Sequence, residues 1–383
     1  MSRRLKAVLP VLGLTLLVSG ALAVDPFNGS DDLAKIDPEE KRLWDQAEEF
    51  DDIMRRSGQL YEDQAFVEYL QGIADRLYPE LKGHIRIRML KSPILNAFAL
   101  PNGSIYINQG LVARFQNEAQ LATVVGHEIG HFKLRHGYRQ RSLMKNTLLL
   151  RAVVQMLGVP SQVDIVFSSS MFGYSRELES EADEIGYKHV AAAGYDLKET
   201  PKVFEHLLRE TKASGARERI FLFTSHPKLQ DRVENYEQLS KNAPDTGIRN
   251  TQEYVDRIGV IRLTNIQNEL TMGRAKYVLL ALCNPESLDN YPPEIHYYLG
   301  EAYRQRAAMG DDVSSEFAYM DAVKFAPHFA PSYRALGIIY LKDGAYADAE
   351  AQFTRYLELA PDAQDAAYVL QYLRLAREKQ GKS

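Results

Sequence analysis

The stretch His127-Glu128-Ile129-Gly130-His131 decides the fold of this chain. Residues four apart in an α-helix lie on one face, one turn above the other. His127 and His131 can therefore present two imidazole nitrogens to one metal ion, and Glu128 can reach a water on that ion. This is the HExxH spacing of zinc sites in which the glutamate acts as general base. By chance it is expected in about one per cent of chains this long.

The residues around this stretch predict a buried helix. Asn117 is a suitable N-cap, and Glu118 then lies at the favourable end of the helix dipole. The pair His136-Gly137 predicts the end of the helix, with Gly137 at the C′ position. An apolar face is formed by Leu121, Val124, Val125 and Phe132.

A second cluster of carboxylates follows about fifty residues later, where Glu177, Glu179, Glu181 and Asp183 share a short helical stretch. An acidic helix face is usually only solvated, but a metal ion and the nearby Arg176 would relieve the mutual repulsion here. A catalytic zinc needs three protein ligands. Glu179 and Asp183 share a face, so one can bind the metal while the other accepts a hydrogen bond from a ligand histidine. Spacing alone does not choose among these carboxylates.

The two clusters together resemble the HExxH…ExxxD signature of the HtpX/BepA/CAAX-prenyl-protease family of zinc metallopeptidases. The resemblance implies that His127, His131 and Glu179 hold one Zn²⁺ per chain, with Glu128 as the catalytic base. It also implies that Asp183 supports a ligand histidine. Residues 96–103 are similar to the NAFALPxG segment of the family, and the resemblance extends over residues 50–240.

A downstream element, Ser225-His226-Pro227 followed by Arg232, resembles a further family motif. The resemblance implies that His226 approaches the zinc, either to stabilise the oxyanion or to occupy the open coordination position in a resting enzyme. Arg232 is expected either to neutralise charge during catalysis or to pair with a carboxylate. Spacing leaves both pairs of alternatives open.

Strand patterns lie before the zinc-site helix. Ile85, Ile87 and Met89 alternate with more polar residues, which predicts a half-buried strand. Residues 96–100, the turn 101–103 and residues 104–108 predict strand, turn and strand. An edge of this small sheet would accept an extended peptide as an added strand. A purely supporting role for the strands is compatible with that prediction.

The amino-terminal residues predict export. Arg3, Arg4 and Lys6 precede an apolar run and a small-residue site, which indicates a signal peptide at residues 1–23, cleaved after Ala23. Its removal takes the formal charge from −5 to −8. A chain this acidic is a poor candidate for nucleic-acid binding.

Length and composition predict two domains, a metallopeptidase domain at 24–241 and a tetratricopeptide-repeat domain at 254–383, joined by a linker at 242–253. One repeat is indicated at residues 333–361 and a second, with about three inserted residues around 309–313, at residues 299–327. A more degenerate copy ends at Pro285, and residues 365–378 predict a capping helix.

Residues 143–157 are rich in leucine and valine but too short and too charged to span a bilayer. A core or crossover helix is the first interpretation. The alternatives are a lid over the zinc site or a surface that touches a membrane or an unfolded substrate.

The sequence thus predicts an α+β, mostly helical protein, with a zincin-like metalloprotease domain containing a small sheet, followed by an all-α repeat domain. A family member with the same domain order oversees outer-membrane β-barrel assembly. That resemblance implies a periplasmic zinc endopeptidase acting on unfolded or misassembled outer-membrane proteins, with the assembly machinery contacting its repeats. The alternative is a chaperone or assembly scaffold that works through its repeats and carries a latent, self-repressed peptidase.

Overall fold

A computed structural model describes residues 24–29, 36–144, 173–214, 229–282, 288 and 291–381. The predicted signal peptide, the element Ser225-His226-Pro227 and most of the segment 143–157 lie outside these residues. Within them the chain is α+β and mostly helical, with one small sheet, so the predicted fold class is confirmed.

The amino-terminal part builds helices around this sheet. Its longer helices are α1 (Pro38–Arg56), α2 (Gln64–Leu77), α3 (Gln109–Arg114), α4 (Glu118–Lys133), α5 (His136–Met144), α6 (Arg176–Ala192), α7 (Thr200–Ser214) and α8 (Leu229–Ser240). Single 3₁₀ turns lie at Pro79–Leu81 and Leu197–Glu199.

The sheet has three strands, β1 (Arg86–Leu90), β2 (Ala97–Ala99) and β3 (Ser104–Asn108), in the order β1-β3-β2. β3 pairs parallel with β1 and antiparallel with β2. The turn between β2 and β3 needs a glycine, because Gly103 has φ +83° and a Cβ there would lie 2.2 Å from the carbonyl oxygen of His84. The predicted strand, turn and strand are confirmed.

Helix α4 carries the HExxH stretch through the middle of this part and is buried from Glu118 to Phe132. The side chain of Asn117 accepts a hydrogen bond from the Gln120 amide at 3.1 Å, which confirms the predicted N-cap. The Glu118 carboxylate accepts bonds from the hydroxyls of Tyr69 and Tyr195 at 2.8 and 2.7 Å. Fixed at its start and packed on every side, α4 is a rigid support for its side chains.

The predicted end of α4 at His136-Gly137 is wrong. The helix ends at Lys133, and Arg135 turns the chain in the left-handed region with φ 54°. His136 then begins α5. A non-glycine residue performs the turn that the sequence pattern assigned to Gly137, and this brings His136 back toward α4.

The carboxyl-terminal part is helical wherever it is described. Its helices are α9 (Thr251–Thr271), α10 (Ala275–Leu282), α11 (Ile295–Arg306), α12 (Asp311–Phe325), α13 (Ala330–Lys342), α14 (Tyr346–Leu359) and α15 (Ala366–Lys379).

Two helical hairpins, α11–α12 and α13–α14, repeat the same contact. A Cβ on Gly300 would lie 2.5 Å from the Tyr319 ring, and one on Gly337 would lie 2.5 Å from the Phe353 ring. The two glycines are 37 positions apart, three more than the usual 34-residue repeat, in agreement with the predicted insertion. The hairpins are those expected of tetratricopeptide repeats, although that family assignment stays a prediction.

Helix α9 crosses the predicted domain boundary. Tyr254, Ile258 and Ile261 near its start belong to the core of the amino-terminal part, whereas Ile266 and Leu270 pack with α10 and α11. The Tyr254 hydroxyl also donates to the carbonyl of Val112 at 2.7 Å. The helix expected to open the repeat domain is therefore shared with the peptidase core, while the domain limits remain a prediction.

None of the helices in the described ranges is long and apolar enough to cross a membrane.

Candidate metal centre

Three buried side chains from two helices converge at one point. His127 and His131 come from consecutive turns of α4, and Glu179 comes from the first turn of α6. Their ligand atoms all lie within 4.8 Å of one another, and no other such group occurs among the described residues. The structure thus brings together the three side chains that the family resemblance assigned to the metal.

The two distances from Glu179 to the histidines suit a tetrahedral ion, whereas the two histidine nitrogens lie closer together than such an ion needs, by about 0.5 Å. The two histidine Nε2 atoms are 2.9 Å apart, and the Glu179 oxygens lie 3.5 Å from Nε2 of His127 and 3.4 Å from Nε2 of His131. Tetrahedral ligands with bonds of about 2.1 Å are separated by about 3.4 Å. Burial and the neighbouring His127 lower the pKa of His131 to about 4, so its imidazole is neutral and able to bind metal at neutral pH.

The two helices approach closely because glycines line their contact. A Cβ on Gly130 of α4 would lie 2.8 Å from a side-chain carbon of Ile185. A Cβ on Gly186 of α6 would lie 2.9 Å from the backbone nitrogen of His127. Small residues at this interface therefore set the distance between Glu179 and the two histidines.

Asp183 supports the first histidine. Nδ1 of His127 lies 2.8 Å from the Asp183 carboxylate, to which it donates when Nε2 faces the metal. Arg232 of α8 donates to the same carboxylate through two nitrogens, at 2.6 and 3.2 Å. Burial alone would raise the pKa of Asp183, but Arg232 and His127 outweigh burial and lower it. Asp183 is therefore ionised and fixes the ring of His127.

Comparison with known proteins identifies the family of this part of the chain. Residues 67–240 match Peptidase family M48, and this range contains both histidines, Glu128, Glu179 and Asp183. This segment is a peptidase family M48 domain.

Relatives of the M48 domain include two kinds of protease. The chain is 38% identical over 126 residues to "Mitochondrial metalloendopeptidase OMA1" of Arabidopsis thaliana, covering 32% of the chain and 25% of that protein. It is 26% identical over 209 residues to "Putative beta-barrel assembly-enhancing protease" of Vibrio cholerae, covering 50% and 43%. It is also 26% identical over 196 residues to "Beta-barrel assembly-enhancing protease" of Escherichia coli K12, covering 47% of the chain and 40% of that protein. The chain thus spans less than half the length of these relatives.

Arg232 lines a small cavity of the M48 site together with His127 and Glu128, and one of its nitrogens lies 2.9 Å from Nδ1 of His127. Besides its bonds to Asp183, its guanidinium lies 4.1 Å from the centre of the Phe204 ring and 3.7 Å from a Glu179 oxygen. It is itself 5% exposed. These contacts favour the second sequence-based alternative, in which Arg232 pairs with a carboxylate and holds it in place.

Two expectations about nearby charges have different outcomes. Glu181 points away from the convergence of ligands and pairs with Arg139 at 2.5 and 3.0 Å. Arg176 is exposed and lies 3.9 Å from Asp231. Of the four carboxylates it acts on Glu177, whose pKa is lowered by a hydrogen bond from its own backbone, by one from Ser175 and by the charge of Arg176. Arg139 and Arg232 supply the positive charge beside Glu181 and Asp183.

Sequence reasoning missed three residues around His131. Nδ1 of His131 lies 2.8 Å from Nδ1 of the fully buried His136. Tyr174 stacks on the His131 ring with centroids 3.9 Å apart, and Gln140 donates to the carbonyl of Gly173 beside it at 2.9 Å. The only sequence signal was a third histidine five residues after His131.

Proposed function

We propose that this chain is a zinc-dependent endopeptidase that acts in the bacterial periplasm on unfolded or misassembled outer-membrane proteins and assists their assembly. One observation carries the peptidase part: His127, His131 and Glu179 converge beside Glu128 in the buried site of an M48 domain. The relatives named as β-barrel assembly-enhancing proteases support the outer-membrane part. The predicted signal peptide supports the periplasmic location.

The donor set fits zinc. Two imidazole nitrogens and one carboxylate oxygen are the ligands of many catalytic zinc sites, and they leave a fourth position open. A zinc ion held there would supply Lewis acidity toward a peptide carbonyl and would lower the pKa of a bound water.

The chain's own residues divide the remaining work. Glu128 is 1% exposed and follows His127 directly on α4. Its carboxylate takes up the proton of the attacking water and passes it to the leaving amine. Asp183, held by Arg232, favours the tautomer of His127 that is protonated on Nδ1, which would leave Nε2 to bind the ion.

A small, partly open cavity lies beside His131. Its walls include residues of β2 and the following turn, together with aromatic side chains of α1 and α4, namely Ala99, Leu100, Pro101, Trp44 and Phe132. This largely apolar lining suits the side chains that unfolded membrane-protein segments expose.

The repeats supply a surface for the assembly machinery. Val313, Phe317 and Met320 follow one face of α12 at helical spacing, and all three are exposed. An apolar stripe of this kind indicates a contact with another protein.

A rescue experiment separates this proposal from the scaffold alternative. A strain that lacks this gene is complemented with the wild-type chain or with Glu128→Gln, and outer-membrane integrity is measured by sensitivity to a large antibiotic. We expect the wild type to restore the barrier and Glu128→Gln to fail at equal protein level. Full rescue by Glu128→Gln would instead support a scaffold with a latent peptidase.

A further inference from the structure

His131 has a buried imidazole partner outside the ligand set. Nδ1 of His131 and Nδ1 of His136 are 2.8 Å apart, and the two residues are 1% and 0% exposed. The contact arises because α4 ends at Lys133 and the left-handed Arg135 turns His136 back at the start of α5.

The metal site determines which nitrogen carries each proton. Nε2 of His131 faces Nε2 of His127 and the Glu179 carboxylate, so Nε2 is the nitrogen that offers its lone pair. The proton of His131 then lies on Nδ1 and is donated to His136. His136 must accept at Nδ1 and carry its own proton on Nε2, because neutral imidazole has one donor and one acceptor.

The surroundings of His136 fit that assignment. Its Nε2 lies 3.3 Å from the Glu181 carboxylate, which can accept a hydrogen bond from the proton on Nε2. Arg139 anchors Glu181 through two nitrogens, at 2.5 and 3.0 Å.

We propose that His136 is a positioning residue for the metal site, which fixes the tautomer and ring orientation of His131 through the chain Glu181–His136–His131. The inference rests on the proposed function, since it takes His131 as a metal ligand. A buried histidine with a purely structural role would need only some hydrogen-bonding partner. The positioning role of His136 requires an acceptor at the position of its Nδ1 atom.

The two ligand histidines are then supported in different ways. His127 donates to a carboxylate that Arg232 holds, whereas His131 donates to a neutral ring that Glu181 orients. Stacking of Tyr174 on His131, with an interplanar angle of 17°, restrains the ring from a second side.

Three substitutions of His136 test the acceptor requirement. The amide of His136→Asn places an oxygen near the position of Nδ1, that of His136→Gln near Nε2, and His136→Leu removes both groups. Zinc affinity is measured by competition with a chromophoric chelator. We expect His136→Leu and His136→Gln to weaken zinc binding by about ten- to a hundredfold, as loss of a ligand's hydrogen-bond partner does. His136→Asn should restore most of the affinity.

His189→Leu is the matched control. His189 is partly buried on α6, where it stacks on Tyr78 and contacts Glu80 and the Ile185 carbonyl, none of which is a ligand residue. It should leave zinc affinity unchanged. The ¹⁵N chemical shifts of the His131 ring give a second readout, and in the wild type they should report a proton on Nδ1 that exchanges slowly with water.

The outcomes are distinct. Equal zinc affinity in the wild type and in His136→Leu would overturn the proposal, as would equal losses in His136→Asn and His136→Gln. If His136→Leu fails to fold, the comparison of Asn with Gln decides alone. If the wild type binds no zinc, the proposed function fails, while the ¹⁵N shifts of metal-free protein still decide whether His131 donates to His136.

Discussion

Gly186 lies directly against the backbone of His127, so that a Cβ on Gly186 would be 2.9 Å from the His127 nitrogen. Across the same contact, a Cβ on Gly126 would be 3.3 Å from the Gly186 carbonyl oxygen. This close approach of α6 to α4 brings Glu179 within ligand distance of both histidines. The geometry of the metal site therefore depends on glycine, which has no side chain, at position 186.

Gly186→Ala should move the two helices apart. Because the new methyl group meets backbone atoms, we expect a loss of about 1–3 kcal/mol in the free energy of unfolding, as overpacking typically causes. Zinc affinity should fall as well. Gly72→Ala is the control, since Gly72 is exposed within α2 and a Cβ there meets nothing within 4 Å. It should raise stability by up to about 1 kcal/mol. Urea unfolding measures the stability of both variants. Similar changes in Gly186→Ala and Gly72→Ala would contradict the packing argument.

Glu179 and Glu181 should respond differently to removal. Glu179→Ala should abolish zinc binding because it removes one of three ligands. Glu181→Ala should retain the metal and weaken its binding only modestly, since Glu181 acts on His131 through His136. Isothermal titration of metal-free protein with zinc distinguishes the two. Equal losses would show that the ligand has been assigned to the wrong carboxylate.

Asp183 should matter for both metal binding and stability. Asp183→Ala removes the acceptor of His127, and we expect zinc affinity to fall about ten- to a hundredfold. The same change leaves Arg232 buried without its main partner, which typically costs about 3–5 kcal/mol. If Asp183→Ala and the wild type have the same free energy of unfolding in the presence of chelator, the ion pair of Asp183 with Arg232 does not stabilise the fold.

Glu199 should make stability depend on acid pH. Burial alone would raise the pKa of its carboxyl, but hydrogen bonds from Lys202, Asn117 and Gln120 outweigh burial and lower the pKa from 4.5. A depressed folded-state pKa contributes stability that is present above about pH 4.5 and lost as pH falls through the folded value.

The test compares the wild type with Glu199→Gln by urea unfolding in chelator between neutral pH and pH 3. The variant should be less stable at neutral pH and should lose less stability on acidification. Parallel pH profiles for the two proteins would show that Glu199 does not titrate as assigned. Because Asn117 caps α4, the expected loss also reports on the helix that carries the histidines.

The apolar stripe on α12 should be needed for function in the cell but not for peptide cleavage in solution. Phe317→Glu should reduce rescue of a deletion strain while cleavage of an unfolded substrate in solution stays within about twofold, because exposed positions rarely alter stability. The neighbouring exposed Asp321→Ala is the control and should rescue fully. Loss of cleavage in solution by Phe317→Glu would argue against a separate docking role.

Local patterns predicted much of this molecule. Periodicity and turn chemistry predict features that depend on residues close in sequence. These features are the N-cap Asn117, the spacing of His127 and His131, and the turn at Gly103. The choice of Glu179 over Glu181 needed the family resemblance, because both lie within one turn of α6. The structure separates them by their partners, the histidines for Glu179 and Arg139 for Glu181.

Other features depend on tertiary contacts that the sequence pattern does not encode. The pattern assigned the end of α4 to Gly137, whereas the left-handed residue is Arg135, and the position of His136 follows from that difference. Likewise, α9 was assigned to the repeats by its place in the chain, yet Tyr254 and Ile258 pack in the peptidase core. In both cases long-range packing overrides the local signal.

We propose that His127, His131 and Glu179 hold a zinc ion and that Glu128 acts on its bound water without being a ligand. The most direct measurement determines metal content and proteolysis of an unfolded outer-membrane protein for the wild type, His131→Ala and Glu128→Gln. We expect about one zinc per chain in the wild type, as three protein ligands imply, and loss of most zinc in His131→Ala. Glu128→Gln should keep the zinc and lose proteolysis. Loss of zinc from Glu128→Gln, or proteolysis by that variant at the wild-type rate, would contradict the account.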